Sequence, residues 1–262
     1  LVLAFTDAYG YNKHFHFIGL ANFKEALSNR AFLRAIWVTV RYTLFVTLGA
    51  NVSALVLALL LDSNTHFKKL FRAVFFLPNL MSLIIVGFVW VFLYGNVYRS
   101  AVQAFGIPEA YQISWLGSMK LAVYSIGLTA IWQCAGYYMI IYIAGLQAVP
   151  GDMLEAAKID GASEWKTLWD IIIPNVMPSI TICTFLTLTN SFKLYDQNLA
   201  LTNGRPYNGA IHTTEMLALN IVNSNTLKTK GIGQAKAVMF FVLVAIIGIF
   251  QMKSTHDKEV QQ

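Results

Sequence analysis

Three groups of residues in this sequence have types and spacings suited to recognition. Gln133 and Tyr137 lie four apart in one apolar stretch, and Thr187, Asn190, Ser191 and Leu194 recur at i, i+3, i+4 and i+7 in the next, which is the spacing of one helix face. Side-chain amides donate and accept hydrogen bonds, and a tyrosine ring offers a flat face, so these residues suit a hydroxyl-rich solute. Interhelical hydrogen bonding is the plain structural use of the same residues. Between the two stretches stand Glu155, Ala156 and Ala157, then three residues, Gly161, nine residues, Ile171 and, three further on, Pro174. This third group has the turn and helix signals of a short helix, a tight turn and a second helix start. Asp152 is expected to cap a short helix over residues 153–160, with Glu155 in its first turn, where the helix dipole favours a carboxylate. Ala156 and Ala157 keep its profile low, and Gly161 lets the chain turn. Ser163 is expected to start a second helix, and Pro174 the next long one. An amphipathic helix lying on a membrane is the alternative reading, one that Trp165 and Trp169 suit.

Covalent chemistry is not indicated. The sequence contains no G-x-S-x-G, no H-E-x-x-H and no G-x-x-x-x-G-K-[ST] phosphate loop. An intramembrane enzyme is therefore a remote alternative. Cys134 and Cys183 lie in apolar stretches and read as small buried hydrophobes, not as a disulfide or metal pair. No nucleic-acid motif accompanies the net charge of +6, and basic charge on such a chain points to lipid headgroups.

The elements that must position these residues are membrane helices. The chain is 56% hydrophobic and 12% charged, whereas soluble domains carry about 25% charged residues. Five apolar stretches, Ile36–Leu61, Ala73–Tyr94, Leu121–Leu146, Pro174–Leu194 and Ala237–Met252, are each long enough, or nearly so, to span a bilayer. In lipid each must be helical, because every backbone polar group needs an internal partner. The opening residues read as the end of a further spanning helix, which makes six. Pro78, with Asn79 and Ser82, is expected to interrupt the helix that contains it. The alternating path puts 62–72, 147–173 and the C-terminal tail on one side. Seven Lys and Arg residues lie there against twelve elsewhere. The raw count points the wrong way, but the short basic 62–72 connection carries most weight under the positive-inside rule and favours the cytoplasm.

The 155–174 pattern resembles the cytoplasmic EAA loop of ABC importer permeases, with Ile173 where leucine is usual. The strings Phe5–Asp7, Gly19–Leu27, Phe32–Leu44, Phe71–Ser82, Asn190–Asp196 and Leu201–Pro206, in that order, are similar to sugar-importer permeases related to the MalF subunit of the maltose transporter. The large external insertion of the maltose subunit is lacking. The resemblance implies an all-α membrane protein, a six-helix permease core whose first helix is incomplete in this sequence, with a cytoplasmic coupling helix. It implies one transmembrane domain over 1–262, with the coupling loop at 148–173 inside it.

The resemblance assigns Glu155, Ala156, Ala157, Asp160 and Gly161 to ATPase coupling. It also places Gln133, Cys134, Tyr137, Asn190, Ser191 and Leu194 at positions that line the sugar site, with Thr187 on the same helix face. The implied partners are a second homologous permease, two ATPase subunits carrying ATP and Mg, an external sugar-binding protein or lipoprotein, and the lipid bilayer. No cofactor is expected in this chain. The implied function is import of an oligosaccharide across a bacterial plasma membrane. The alternative is import of another small solute, such as glycerol phosphate, a polyamine or an amino acid.

Overall fold

The structure, a computed structural model, describes residues 1–8, 15–62, 67–108, 113–205, 207–208, 211–226 and 229–259. Residues 63–66 of the short basic connection and Pro206 of the Leu201–Pro206 string lie outside the described residues. The elements are α1 (Ala21–Ser28), α2 (Arg30–Asp62), α3 (Lys68–Phe76), α4 (Leu83–Phe92), α5 (Tyr98–Ala104), α6 (Ala122–Gln147), α7 (Gly151–Ile159), α8 (Glu164–Thr167), α9 (Ile173–Phe192), α10 (Asp196–Leu201), α11 (Leu217–Ser224) and α12 (Lys230–Glu259), with a two-residue hairpin β1 (Tyr207–Asn208) and β2 (Ile211–His212). Among the described residues, five helical segments are long and apolar enough to cross a membrane: Arg30–Leu61, Leu83–Ala104, Ala122–Gln147, Glu164–Phe192 and Lys230–Ile249. Val2–Phe5, expected as the end of a spanning helix, forms a 3-10 turn.

Three expected boundaries move, each for a local reason. The stretch Ala73–Tyr94 is not one helix. Pro78 has no N–H to donate and fixes its own φ; α3 gives way to a 3-10 turn over Leu77–Leu80, and Met81 is extended. The second span therefore begins at Leu83 and runs through a π turn at Leu93–Val97 into α5. The fourth span begins before Pro174. A π turn at Leu168–Ile172 joins α8 to α9, at the point where Pro174 withdraws a ladder donor. The last span takes in Lys236, which the sequence places in the preceding connection.

The chain packs as two compact units. The first comprises residues 1–45, 82–129 and 189–249. Its core sets Phe32 and Ala35 of α2 against Leu217 of α11, with Ile36, Met239, Phe240 and Leu243 around them. Thr39 Oγ1 accepts from the Leu217 amide at 2.8 Å. Lys236 is only 2% exposed. Its Nζ donates to Asn220 Oδ1 at 3.0 Å and Ser224 Oγ at 2.6 Å, and lies 5.2 Å from the Phe32 ring centroid. A lysine is tolerated in an apolar span when its donors are satisfied in this way.

The second unit comprises residues 46–81, 130–188 and 250–262. Ala50, Ala54 and Ala58 form a fully buried small-residue stripe on α2, packed with Tyr138, Met139, Tyr142, Ile143 and Leu146 of α6 and Val176 and Cys183 of α9. Small residues let membrane helices approach closely. Gly145 is part of the same logic, since a Cβ there would overlap the Ser179 hydroxyl. A polar network ties the three helices inside this core. Tyr142 donates to Asn51 Oδ1 at 2.6 Å, and Asn51 Nδ2 donates to Thr187 Oγ1 at 3.2 Å and to Thr47 O at 2.7 Å. Asn51→Ala removes the Oδ1 acceptor of the buried Tyr142 hydroxyl. It is expected to destabilise the chain by about 1–3 kcal/mol. Thr187→Val is expected to cost less, because Thr187 Oγ1 donates to its own helix at Cys183 O, 2.6 Å. Denaturant titration of both variants in mixed micelles checks the order.

Candidate functional site

The 148–173 segment is a helix, a tight turn and a second helix. α7 starts at Gly151, with Pro150 at the N-cap and no side-chain cap. Asp152 therefore stands inside the first turn, where its charge still favours the helix dipole, and Glu155 moves to the second turn. The expected Asp152 cap is thus replaced by proline, whose fixed φ suits a helix entrance. Glu155 and Ala156 are exposed, and Ala157 is buried. At the other end the Ala162 amide donates to Ala157 O at 2.9 Å and the Gly161 amide to Lys158 O at 3.1 Å. These paired bonds close α7 as a Schellman turn. Gly161 sits at φ +73, a conformation that costs side-chain-bearing residues free energy. Asp160 is the C-cap residue and is exposed.

Ser163 caps the second helix as expected, accepting from the Lys166 amide at 3.2 Å. That helix is not separate from the next span. It runs through the π turn into α9. Ala156, Ala157, Asp160 and Gly161, together with Lys166 and Asp170, line a recess of about 640 Å³. Trp165 and Trp169 stand 69% and 55% exposed, edge to face at 6.1 Å.

The polar residues of the spans divide by environment. Gln133 is buried and donates from Nε2 to Met81 O at 3.1 Å, satisfying a carbonyl freed by the Pro78 break. A Pro-broken membrane helix needs such a partner. Thr187 is buried in the Asn51 network. Cys134 is half-buried, and both cysteines are free thiols. Tyr137 is 37% exposed and packs edge to face on Tyr138 at 5.3 Å. These four residues belong to the second unit. Asn190, Ser191 and Leu194 belong to the first, where Ser191 and Leu194 are buried and Asn190 is exposed. Asn51 and Tyr142 were not singled out in the sequence. An asparagine in the middle of a long apolar helix was the available signal.

Among the described residues, five helices long and apolar enough to cross a membrane, with an exposed helix-turn-helix in the chain between the third and fourth, define a multi-pass integral membrane protein. Residues 35–253 match the family of binding-protein-dependent transport system inner membrane components, and the chain belongs to that family. It is therefore a transport permease subunit. The chain is 36% identical over 263 residues to the probable starch degradation products transport system permease protein AmyD of Thermoanaerobacterium thermosulfurigenes, covering 98% of this chain and 86% of the relative. It is 31% identical to the multiple sugar-binding transport system permease protein MsmF of Streptococcus mutans, covering 98% and 87%. The fold is similar to a chain of a bacterial alginate ABC transporter crystallised in complex with an alginate pentasaccharide-bound periplasmic protein. That match has a TM-score of 0.77 at 20% identity, covering 89% of this chain and 81% of the other.

Proposed function

We propose that this chain moves an oligosaccharide, delivered by an external sugar-binding protein, across a bacterial plasma membrane. In this reading it is a single permease domain over 1–262. It works beside a second homologous permease and two ATPase subunits that supply ATP and Mg chemistry. The exposed α7, closed by its Schellman turn and joined to the fourth span through α8, carries the reading. The sugar-permease relatives support the substrate class. Glu155, Ala156, Ala157, Asp160 and Gly161 form the contact with an ATPase. Closure of the ATPase pair pushes α7, and the continuous α8–α9 helix carries the displacement into the membrane.

The sugar path draws on Gln133, Cys134, Tyr137, Thr187, Asn190, Ser191 and Leu194. Tyr137 and Asn190 are the two among them with exposed side chains, which suits direct contact with hydroxyls. Gln133 and Thr187 shape the path by holding the helices that line it. Vesicles containing the chain, its partner permease, the ATPases and the loaded binding protein are expected to take up oligosaccharide only with ATP. Asn190→Ala is expected to lower uptake or shift sugar preference by about two- to tenfold, the worth of one hydrogen bond. Assembly and basal ATP hydrolysis should stay intact. Collapse of assembly would make Asn190 a packing residue, and ATP-dependent uptake of a different solute class would overturn the sugar assignment.

A further inference from the structure

The end of the second span and the connection after it enclose a cavity of about 280 Å³ within the first unit. Tyr94 and Gly95 stand in the π turn at Leu93–Val97, and Tyr98 and Arg99 open α5. They recur at i, i+1, i+4 and i+5, so they share one side of the helix, and they line the cavity together with Ile113 and Trp115. The aromatic rings are fixed by hydrogen bonds. Tyr94 Oη donates to Ser125 O of α6 at 3.0 Å, and Tyr98 Oη accepts from the Ile113 amide at 3.1 Å. Ser125 Oγ donates to Trp115 O at 2.9 Å. Trp115 stacks on Tyr94 with ring centroids 5.7 Å apart and meets Tyr98 edge to face at 5.9 Å. Two features leave this wall open to a ligand. A Cβ at Gly95 would point into open space. Arg99 is exposed and makes no ion pair with another described residue. A π turn inside a membrane span is itself a common mark of a functional site.

We propose that this cavity is a saccharide subsite that takes one pyranose unit, with Tyr94, Tyr98 and Trp115 against its C–H face and Arg99 donating to its oxygens. Three clustered aromatic rings by themselves suit a cation, but Arg99 on the same wall repels one. A sugar ring matches both parts of the wall. Its C–H face is apolar, and its rim carries acceptors for the five N–H donors of a guanidinium. The volume falls just below the range of whole-ligand pockets, about 300–1,000 Å³, so the site holds a unit and not a chain. On the alternating path the 95–120 connection lies on the side opposite α7, where a delivered sugar arrives. The inference rests on the sugar-import reading and adds to it a second set of contacts beside Tyr137 and Asn190.

The test uses the full chain in vesicles with its partner permease and ATPases, with Cys134 and Cys183 replaced by alanine. Ile113→Cys is the reporter, because it keeps the amide that reaches Tyr98. Alkylation by a water-soluble maleimide is timed with and without maltotriose, raffinose or digalacturonate. At least one glycan is expected to slow the reaction, and Ser100→Cys, exposed on α5 outside the cavity lining, is expected to react at the same rate throughout. Protection by digalacturonate alone assigns a ring carboxylate to Arg99; protection by the neutral glycans assigns hydroxyls. Arg99→Gln is expected to raise the glycan concentration for half protection by about two- to tenfold, the worth of one hydrogen bond. Gly95→Leu, which fills the cavity, is expected to abolish protection with helical content unchanged. Absence of protection by all three glycans, or protection unchanged in both variants, overturns the subsite. Protection by the sugar-free binding protein and not by glycan assigns the wall to a protein contact and overturns it as well. Failure of the sugar-import reading shows separately, as ATP-driven uptake of another solute class by the same vesicles.

Discussion

Glu155→Lys is expected to leave the chain inserted and its helices intact while ATP-driven uptake is lost. Glu155 is exposed in the second turn of α7, so the substitution disturbs no buried contact of this chain. Reversal of charge at a desolvated protein interface costs about 2–5 kcal/mol. That weakens association with an ATPase by on the order of 30-fold to several thousand-fold. Co-purification of the ATPases with the variant permease, measured beside uptake in the same vesicles, is the check. Gly161→Val is a useful companion, since it attacks the same contact through geometry. At φ +73 a β-branched side chain is strained, the Schellman bonds at Ala162 and Gly161 weaken, and α7 loses its fixed end. Its expected phenotype is the same uncoupling. Normal ATPase association and uptake in both variants would falsify the docking assignment of this loop.

Gly136→Leu is expected to have the largest effect on folding itself. A Cβ at this position overlaps the Phe75 carbonyl and crowds the Phe76 amide. Backbone cannot swing aside as the end of a side chain can, so α6 must move off the C-terminal end of α3. Overpacking of this kind costs about 1–3 kcal/mol and sometimes more. Gly136 is also next but two to Gln133, which satisfies the Met81 carbonyl, so the displacement also leaves that group unpaired. Gly49→Ala is the control. There the added Cβ meets only the Ile131 side chain, chiefly its Cδ1 end, which can turn about χ2 where backbone cannot. The expected order is a marked loss of denaturant resistance and membrane yield for Gly136→Leu and a small change for Gly49→Ala. Equal behaviour would show that the α6–α3 approach is not close-packed.

The helix-turn-helix of residues 148–173 was legible because its logic is local. A glycine in the left-handed region, a serine three residues before the amide it caps, and alanines on a short helix act within one or two turns, and their spacing in the sequence is their spacing in space. The cap at the other end shows the limit of local reading. Asp152 and Pro150 are both acceptable helix starters, and the helix took the proline, which started it two residues earlier and put Glu155 in the second turn. The Pro78 break was equally readable, because a missing N–H cannot be recovered by packing. What the sequence could not tell was on which side of the break the span would lie. Residues 73–80 and 83–94 are similarly apolar. Arg72 bonded to Leu61 and the contact of Phe75 with Gly136 hold α3 out of the second span.

The polar stripe of α9 teaches the opposite lesson. Periodicity placed Thr187, Asn190, Ser191 and Leu194 on one face, yet only Asn190 remains exposed. The environment of a polar group in a span is set by what the neighbouring helices offer it. Thr187 found Asn51, a residue 136 positions away, and no local pattern announces a bond over that separation. Lys236 likewise reads as a loop charge until Asn220 and Ser224 enclose it.

The sequence by itself determined the membrane helices, the loop between the third and fourth of them, and the family, because hydropathy, backbone satisfaction in lipid and turn chemistry are local constraints. The tertiary structure alone decided which polar side chains hold helices together and which remain exposed. That distinction depends on desolvation and on hydrogen bonds closed between distant segments.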